Sequence, residues 1–83
     1  MKLKPLKEEI ATYLRQHNIE KKFAKAARLF QDNPFHPSLR VEVLQPPQYR
    51  VYSFRIDQKY RALFIQVGGG AEILAITKHY RQS

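Results

Sequence analysis

The chain has no cysteine, which excludes disulfides, thiolate zinc sites and a thiol nucleophile. Its three histidines, His17, His36 and His79, are scattered, which argues against a zinc site, and no metal is expected. No apolar run approaches the ~18 residues that span a bilayer. The lysine-rich start lacks the apolar segment that follows in a signal peptide, so the expected location is cytoplasmic. Glycine occurs only as the run Gly68-Gly69-Gly70. Acidic residues are also scarce: seven Asp and Glu stand against fifteen Lys and Arg, a net charge of +8. The excess is spread along the chain, with eight basic and four acidic residues in 1–39 and seven and three in 40–83. Such a field favours polyanions and speeds their encounter. A basic surface can equally serve solubility or meet an acidic protein partner.

What is present is enough for one small domain over residues 1–83. Apolar residues make up 43% of the chain, with five Phe and five Tyr among them, and the length lies near the lower limit for stability by core burial. Leu6, Ile10, Tyr13 and Leu14 recur at helical spacing, with Glu8 and Glu9 in the first turn, where the helix dipole favours anions. His17-Asn18 interrupts the pattern, and Asn18 is expected to cap a second helix. That helix carries Ile19, Phe23, Ala26, Ala27 and Phe30 on one face and Lys21, Lys22, Lys25 and Arg28 on the other. Asn33-Pro34 ends it, because proline disfavours helix in the residue before it. The short link between the helices implies an antiparallel pair.

After Pro37 the period changes to two. Leu39, Val41 and Val43 alternate with Arg40 and Glu42, and Tyr52, Phe54 and Ile56 alternate with Val51, Ser53 and Arg55. Asp57-Gln58-Lys59 reads as a turn into Tyr60–Val67, and the glycine run as a turn into a strand from Ala71 to Thr77. These last two strands are apolar on both faces, as in the middle of a sheet packed on helices. The expected architecture is α+β: an N-terminal helical hairpin on one face of a three- to four-stranded antiparallel sheet.

Three residues on these strands invite a chemical reading. Arg61 shares a strand face with Leu63 and Ile65, an odd place for a surface cation. It is either a salt-bridged side chain, with Glu42 or Asp57 as partner, or a phosphate clamp whose planar donors match phosphate oxygens. Glu42 is an edge-strand charge or a base. His79, at the end of the last strand, is a solvated side chain or a proton donor, and Tyr80 beside it can orient a phosphate or stack on a base. His36, in Pro34-Phe35-His36-Pro37, reads as structural, and His17 as a helix-end residue.

Three segments carry a resemblance: Asn33-Pro34-Phe35-His36-Pro37-Ser38-Leu39, Tyr52-Ser53-Phe54-Arg55-Ile56-Asp57 and Lys59-Tyr60-Arg61-Ala62-Leu63-Phe64. Together they resemble the RelE/ParE superfamily of type II toxin–antitoxin toxins, and the closing Lys78-His79-Tyr80 is most similar to its YoeB-type branch of mRNA endoribonucleases. The resemblance spans about residues 19–80. It implies Glu42 as general base, Arg61 as stabiliser of the phosphorane-like transition state and His79 with Tyr80 as the terminal acid pair. Arg40, Arg55, Lys59, Lys78 and Arg81 are expected to bind RNA. The implied reaction is attack of a ribose 2′-OH on its own 3′-phosphate, with no metal and no other cofactor, on mRNA in the ribosome. The implied partners are a cognate antitoxin, mRNA and rRNA, and the free chain is expected to be a monomer or a dimer.

Two features depart from the family. It usually opens with a β-strand, and here only Met1–Lys4 precede the first helical pattern, so that strand is expected to be short or missing. Arg81-Gln82-Ser83 also extends past the His-Tyr pair. Members of the same fold include gyrase-binding toxins and inactive relatives, and a plain basic RNA-binding domain is a further alternative. The Glu, Arg, His and Tyr set speaks against the gyrase branch, which needs no acid–base residues.

Overall fold

Apolar spacing sets both helices. In the computed structural model, which describes residues 1–78, α1 spans Glu8–Gln16 and α2 spans Glu20–Asp32. Helix α1 buries Ile10 and Leu14, with Glu8 and Glu9 in its first turn and Arg15 in its last, the charge order its dipole favours. Helix α2 buries Phe23, Ala26, Ala27 and Phe30, one stripe at i, i+3, i+4 and i+7. Asn33 takes an extended conformation before Pro34 and ends the helix.

Asn18 does not cap α2. It adopts a left-handed φ of 56°, its N–H bonds to the Arg15 carbonyl, and the Ile19 N–H reaches back to the Leu14 carbonyl at 3.0 Å. That pair of bonds is the Schellman ending of α1, for which asparagine tolerates the left-handed position. Buried Ile19 then starts α2, accepting the Phe23 N–H at 2.8 Å.

The sheet is mixed and has five strands: β1 (Lys2–Leu3), β2 (Glu42–Val43), β3 (Tyr52–Arg55), β4 (Tyr60–Val67) and β5 (Gly70–Lys78), in the order β1-β5-β4-β3-β2. This corrects the expected count and the purely antiparallel arrangement, because β1 is present, short, and parallel to β5. Its placement depends on contacts distant in sequence. Gln31 of α2 accepts the Leu3 N–H through its side chain and the terminal ammonium through its carbonyl, both at 3.0 Å. A Cβ at residue 70 would lie 2.8 Å from the Lys2 carbonyl oxygen, so only glycine lets β1 approach. Gly68 and Gly69 have φ of 50° and 81°, the conformation of a two-residue hairpin turn between β4 and β5.

Residues 39–43 are not one strand. Pro37–Leu39 form a 3₁₀ turn, Arg40 is left-handed at φ 44°, and pairing begins only at Glu42. Pro37 favours the first position of such a turn, the His36 ring accepts the Ser38 N–H at 3.1 Å, and burial of Leu39 anchors the turn. Alternation survived in the letters although the backbone had left the extended region.

Both helices cover one face of the sheet. Phe30 stacks on Phe54 at 4.8 Å and meets Phe64 edge-on at 4.9 Å. Fully buried Ala62 lies in the same cluster. A bulge between Leu63 and Phe64 shifts the pairing from Ala75 to Ile73, so that Leu74 is the extra residue. Ile73 and Ile76 consequently both reach the helix-covered core, three residues apart. Among the described residues no helix is long and apolar enough to cross a membrane.

Candidate functional site

The open face of the sheet is organised around Arg61. Cross-strand pairing places Arg61 opposite Arg55, Ser53 opposite Leu63 and Glu42 opposite Ser53, so all of these project from the side away from the helices. The Arg61 residue is only 6% exposed. Its Nε donates to the Ser53 hydroxyl at 2.8 Å, and its Nη2 donates to the Ser53 carbonyl at 3.2 Å and to the Arg40 carbonyl. The left-handed turn at Arg40 sits beside that carbonyl in the chain and leads into β2. Among the described residues Nη1 makes no hydrogen bond.

Glu42 approaches the same guanidinium, with Oε1 3.9 Å from Nη2, while its own side chain is 61% exposed. This is an ion pair at the edge of range between a buried cation and a solvated carboxylate. Of the two salt bridges the sequence allowed for Arg61, Glu42 is the one formed; Asp57 pairs instead with Lys22 at 3.2 Å. Burial lowers the Arg61 pKa from its ordinary value, Glu42 opposes that, and the nearby Arg55 and Arg40 add to it. Arginine nevertheless stays protonated. Three guanidinium groups are thus held close together, two of them directly opposite on neighbouring strands, where like charges repel. The arrangement is primed for an anion.

A cleft of about 510 Å³ adjoins this cluster, lined by Pro37, Ser38, Arg40, Arg55, Ile56 and Asp57. The Arg55 Nε donates to the Asp57 carbonyl at 3.3 Å, which steadies its head group at the wall. The Asp57 carboxylate lends the cleft little negative charge. Its Oδ1 accepts the Lys59 and Tyr60 N–H groups at 2.8 Å each, and its Oδ2 is bound by Lys22.

Glu42, Arg61, Arg40 and Arg55 therefore come together. Lys59 does not join them: it lines a separate cleft of about 360 Å³ with His17, Lys22 and Tyr60. Lys78 pairs with Tyr60 in register and so stands in the helix-side row rather than that of Arg61. His79, Tyr80 and Arg81 lie outside the described residues. His36 serves its turn, and His17 stacks on Tyr13 at 3.9 Å at the end of α1. Among the described residues no group of His, Asp and Glu is arranged to hold a metal ion.

Sequence reasoning missed Ser53. It is buried at 2% exposure, and it meets Arg61 through both its hydroxyl and its carbonyl. The available signal was a small polar residue two positions before Arg55, on the same strand face.

No protein-family model matches the sequence, and no curated protein does. Solved structures do match in fold. A YoeB/ParE toxin from Agrobacterium tumefaciens superposes with a TM-score of 0.68 at 20% identity, over 96% of this chain and 100% of its own. YafQ from E. coli strain BL21(DE3) gives 0.70 at 7% identity, over 94% and 90%. The YoeB–YefM complex from Staphylococcus aureus gives 0.68 at 22% identity, over 95% and 94%. Two helices against a five-stranded mixed sheet, matched over nearly the whole of each chain, give this chain the fold that the YoeB/ParE and YafQ structures share.

Proposed function

We propose that the chain is the toxin of a type II toxin–antitoxin pair and that it cleaves mRNA on the ribosome without a metal ion. The observation that carries this reading is the buried Arg61 guanidinium, fixed by Ser53 and the Arg40 carbonyl, flanked by Arg55 and approached by Glu42. Charge fixed in advance stabilises a phosphorane as its negative charge develops, with no reorganisation at the moment of reaction. Glu42 takes the proton of the ribose 2′-OH as that oxygen attacks the adjacent 3′-phosphate. The P–O5′ bond breaks, and His79 returns a proton to the leaving oxygen. The products are a 2′,3′-cyclic phosphate and a 5′-hydroxyl. Tyr80 orients the phosphate.

One carboxylate and one buried guanidinium are few groups for orienting a flexible RNA, which supports a role for the ribosome in positioning the substrate. Free RNA is then a poor assay substrate. The S. aureus YoeB is found in a toxin–antitoxin heterotetramer with YefM and also as a dimer. By analogy, an acidic antitoxin covers the basic face here, and the chain acts in the cytoplasm.

One observation favours the non-catalytic alternative, a gyrase-targeting or inactive relative that still engages an antitoxin. The Glu42 side chain is largely solvated and already paired with Arg61, as an ordinary surface carboxylate would be. Expression of Arg61→Ala and His79→Ala separates the readings. Each variant loses growth arrest while its purified, folded form still binds the antitoxin, and primer extension on translated mRNA shows breaks with the parent only. A double variant as toxic as the parent overturns the proposal.

A further inference from the structure

Among the described residues Phe35 is the most exposed of the large apolar side chains, at 87%. A single exposed ring is unremarkable on a protein surface. What sets this one apart is how firmly its backbone is held. The Phe35 N–H is bound by the Asn33 side chain at 3.1 Å, the His36 N–H by the Asn33 carbonyl at 3.0 Å and the Ser38 N–H by the His36 ring at 3.1 Å. Pro34 and Pro37 fix two further φ angles, and buried Leu39 pins the end of the segment. A ring with almost no contacts thus stands on one of the most constrained loops of the molecule. The stiffness seats Leu39 in the core and the Arg40 carbonyl on Arg61, and it also fixes where the Phe35 backbone presents its ring.

The loop also has a defined position. Two residues beyond Phe35 it becomes the rim of the 510 Å³ cleft, where Pro37, Ser38 and Arg40 face Arg55. The cleft offers two guanidinium groups and a hydroxyl, a donor set suited to phosphate, and its one carboxylate is tied up by two backbone N–H groups and paired with Lys22. Arg55 links the cleft to Arg61, its cross-strand neighbour. A phosphate seat next to the Arg61 cluster, on a loop that presents an exposed aromatic ring two residues before the lining residue Pro37, has the parts of a single-strand binding site: cations that follow the backbone and a ring on which a base stacks.

We infer that Phe35 is a base-stacking platform for single-stranded RNA, holding the nucleotide whose phosphate sits between Arg40, Arg55 and Ser38, one step from the bond at Arg61. The inference rests on the RNA-cleavage reading for its ligand and adds a positioning residue to it. Stacking without hydrogen bonds to the base edge tolerates any base, so Phe35 contributes grip and register rather than sequence choice.

The chain has no tryptophan, so Phe35→Trp introduces a single indole reporter at the proposed contact. The full chain carrying it is titrated with a 2′-O-methyl oligouridylate, which resists 2′-OH cleavage, and with an abasic oligomer of the same length and phosphate count. The oligouridylate is expected to quench the indole on saturation, and the abasic oligomer to bind without quenching. Phe35→Tyr is expected to keep the affinity for oligouridylate, whereas Phe35→Leu and Phe35→Ala weaken it about tenfold and leave abasic binding unchanged. Thermal unfolding of these exposed-site variants should match the parent. If both oligomers bind and neither or both quench, or if Leu serves as well as Tyr, stacking is overturned while the RNA reading stands. If neither oligomer binds the parent chain, this inference falls, while the RNA-cleavage reading is decided separately by primer extension on translated mRNA.

Discussion

Ser53 and Phe54 are consecutive on β3, both almost fully buried, yet they belong to different kinds of structure. Phe54 faces the helices, where Phe30, Phe23 and Phe64 surround it. Ser53 faces the other side, where Arg61 binds both its hydroxyl and its carbonyl. The first environment is stabilised by removing apolar area from water, which is non-directional and tolerant of detail. The second depends on donor and acceptor geometry and holds a cation among other cations, an arrangement that adds little stability. The helix-covered face keeps the protein folded, and the open face uses that rigidity to hold charge in place.

This contrast can be broken from either side. The largest loss of stability is expected from Phe54→Ala, about 3–5 kcal/mol, a serious fraction of what a domain of this size possesses; chemical denaturation at neutral pH measures it. On the open face, Ser53→Ala is expected to cost only about 1 kcal/mol, because one hydrogen bond is lost while the carbonyl contacts of Arg61 persist. Its effect on catalysis should be larger in proportion. If the chain cleaves mRNA as proposed, loss of the tether at Nε is expected to lower turnover on translated mRNA about tenfold with little change in apparent KM. A fall in turnover no larger than the fall in the folded fraction, measured on the same samples, would mark Ser53 as merely structural.

The smallest effect concerns the turn that joins β3 to β4 beneath both faces. Burial pushes the Asp57 carboxyl up, but the N–H groups of Lys59 and Tyr60 and the Lys22 ammonium outweigh it and hold its pKa below the ordinary value. A carboxyl whose pKa is depressed by folding contributes stability above its unfolded pKa and loses it as pH falls through the folded one. The window is therefore below about pH 4. Asp57→Asn is expected to destabilise by less than about 1 kcal/mol at neutral pH, since the Lys22 pair is solvated. It should also flatten the decline of thermal stability on the acid side. A parallel acid decline in parent and variant would remove Asp57 from that role.

The two faces were unequally legible. The stripes of α1 and α2, the Gly68-Gly69 hairpin and the central apolar strands followed from local periodicity and turn chemistry, and the structure has them all. Arg61 stood out because a cation between apolar strand residues needs a partner. The segment from Leu39 to Val43 misled, since a 3₁₀ turn and a left-handed residue can preserve an alternating pattern that the backbone does not follow. Asn18 misled for a related reason, because the same residue type suits a helix start and a left-handed helix end. The role of Ser53 could not be read at all. A serine in a strand becomes a tether only when the register brings an arginine across from it.

The amino-acid sequence by itself determined the parts: two amphipathic helices, three β-segments after Tyr52 with the turns that join them, and an excess of positive charge. These depend on interactions within a few residues, and they leave a record in spacing and composition. Tertiary structure alone decided that a two-residue strand at the start closes the sheet in parallel, that a bulge at Leu63 and Phe64 sends both Ile73 and Ile76 to the core, and that Glu42, Ser53, Arg40 and Arg55 converge on Arg61. Strand register and contacts between separate elements, such as Lys2 with Gly70 and Arg40 with Arg61, fix those outcomes, and the pattern within any one element does not carry that information.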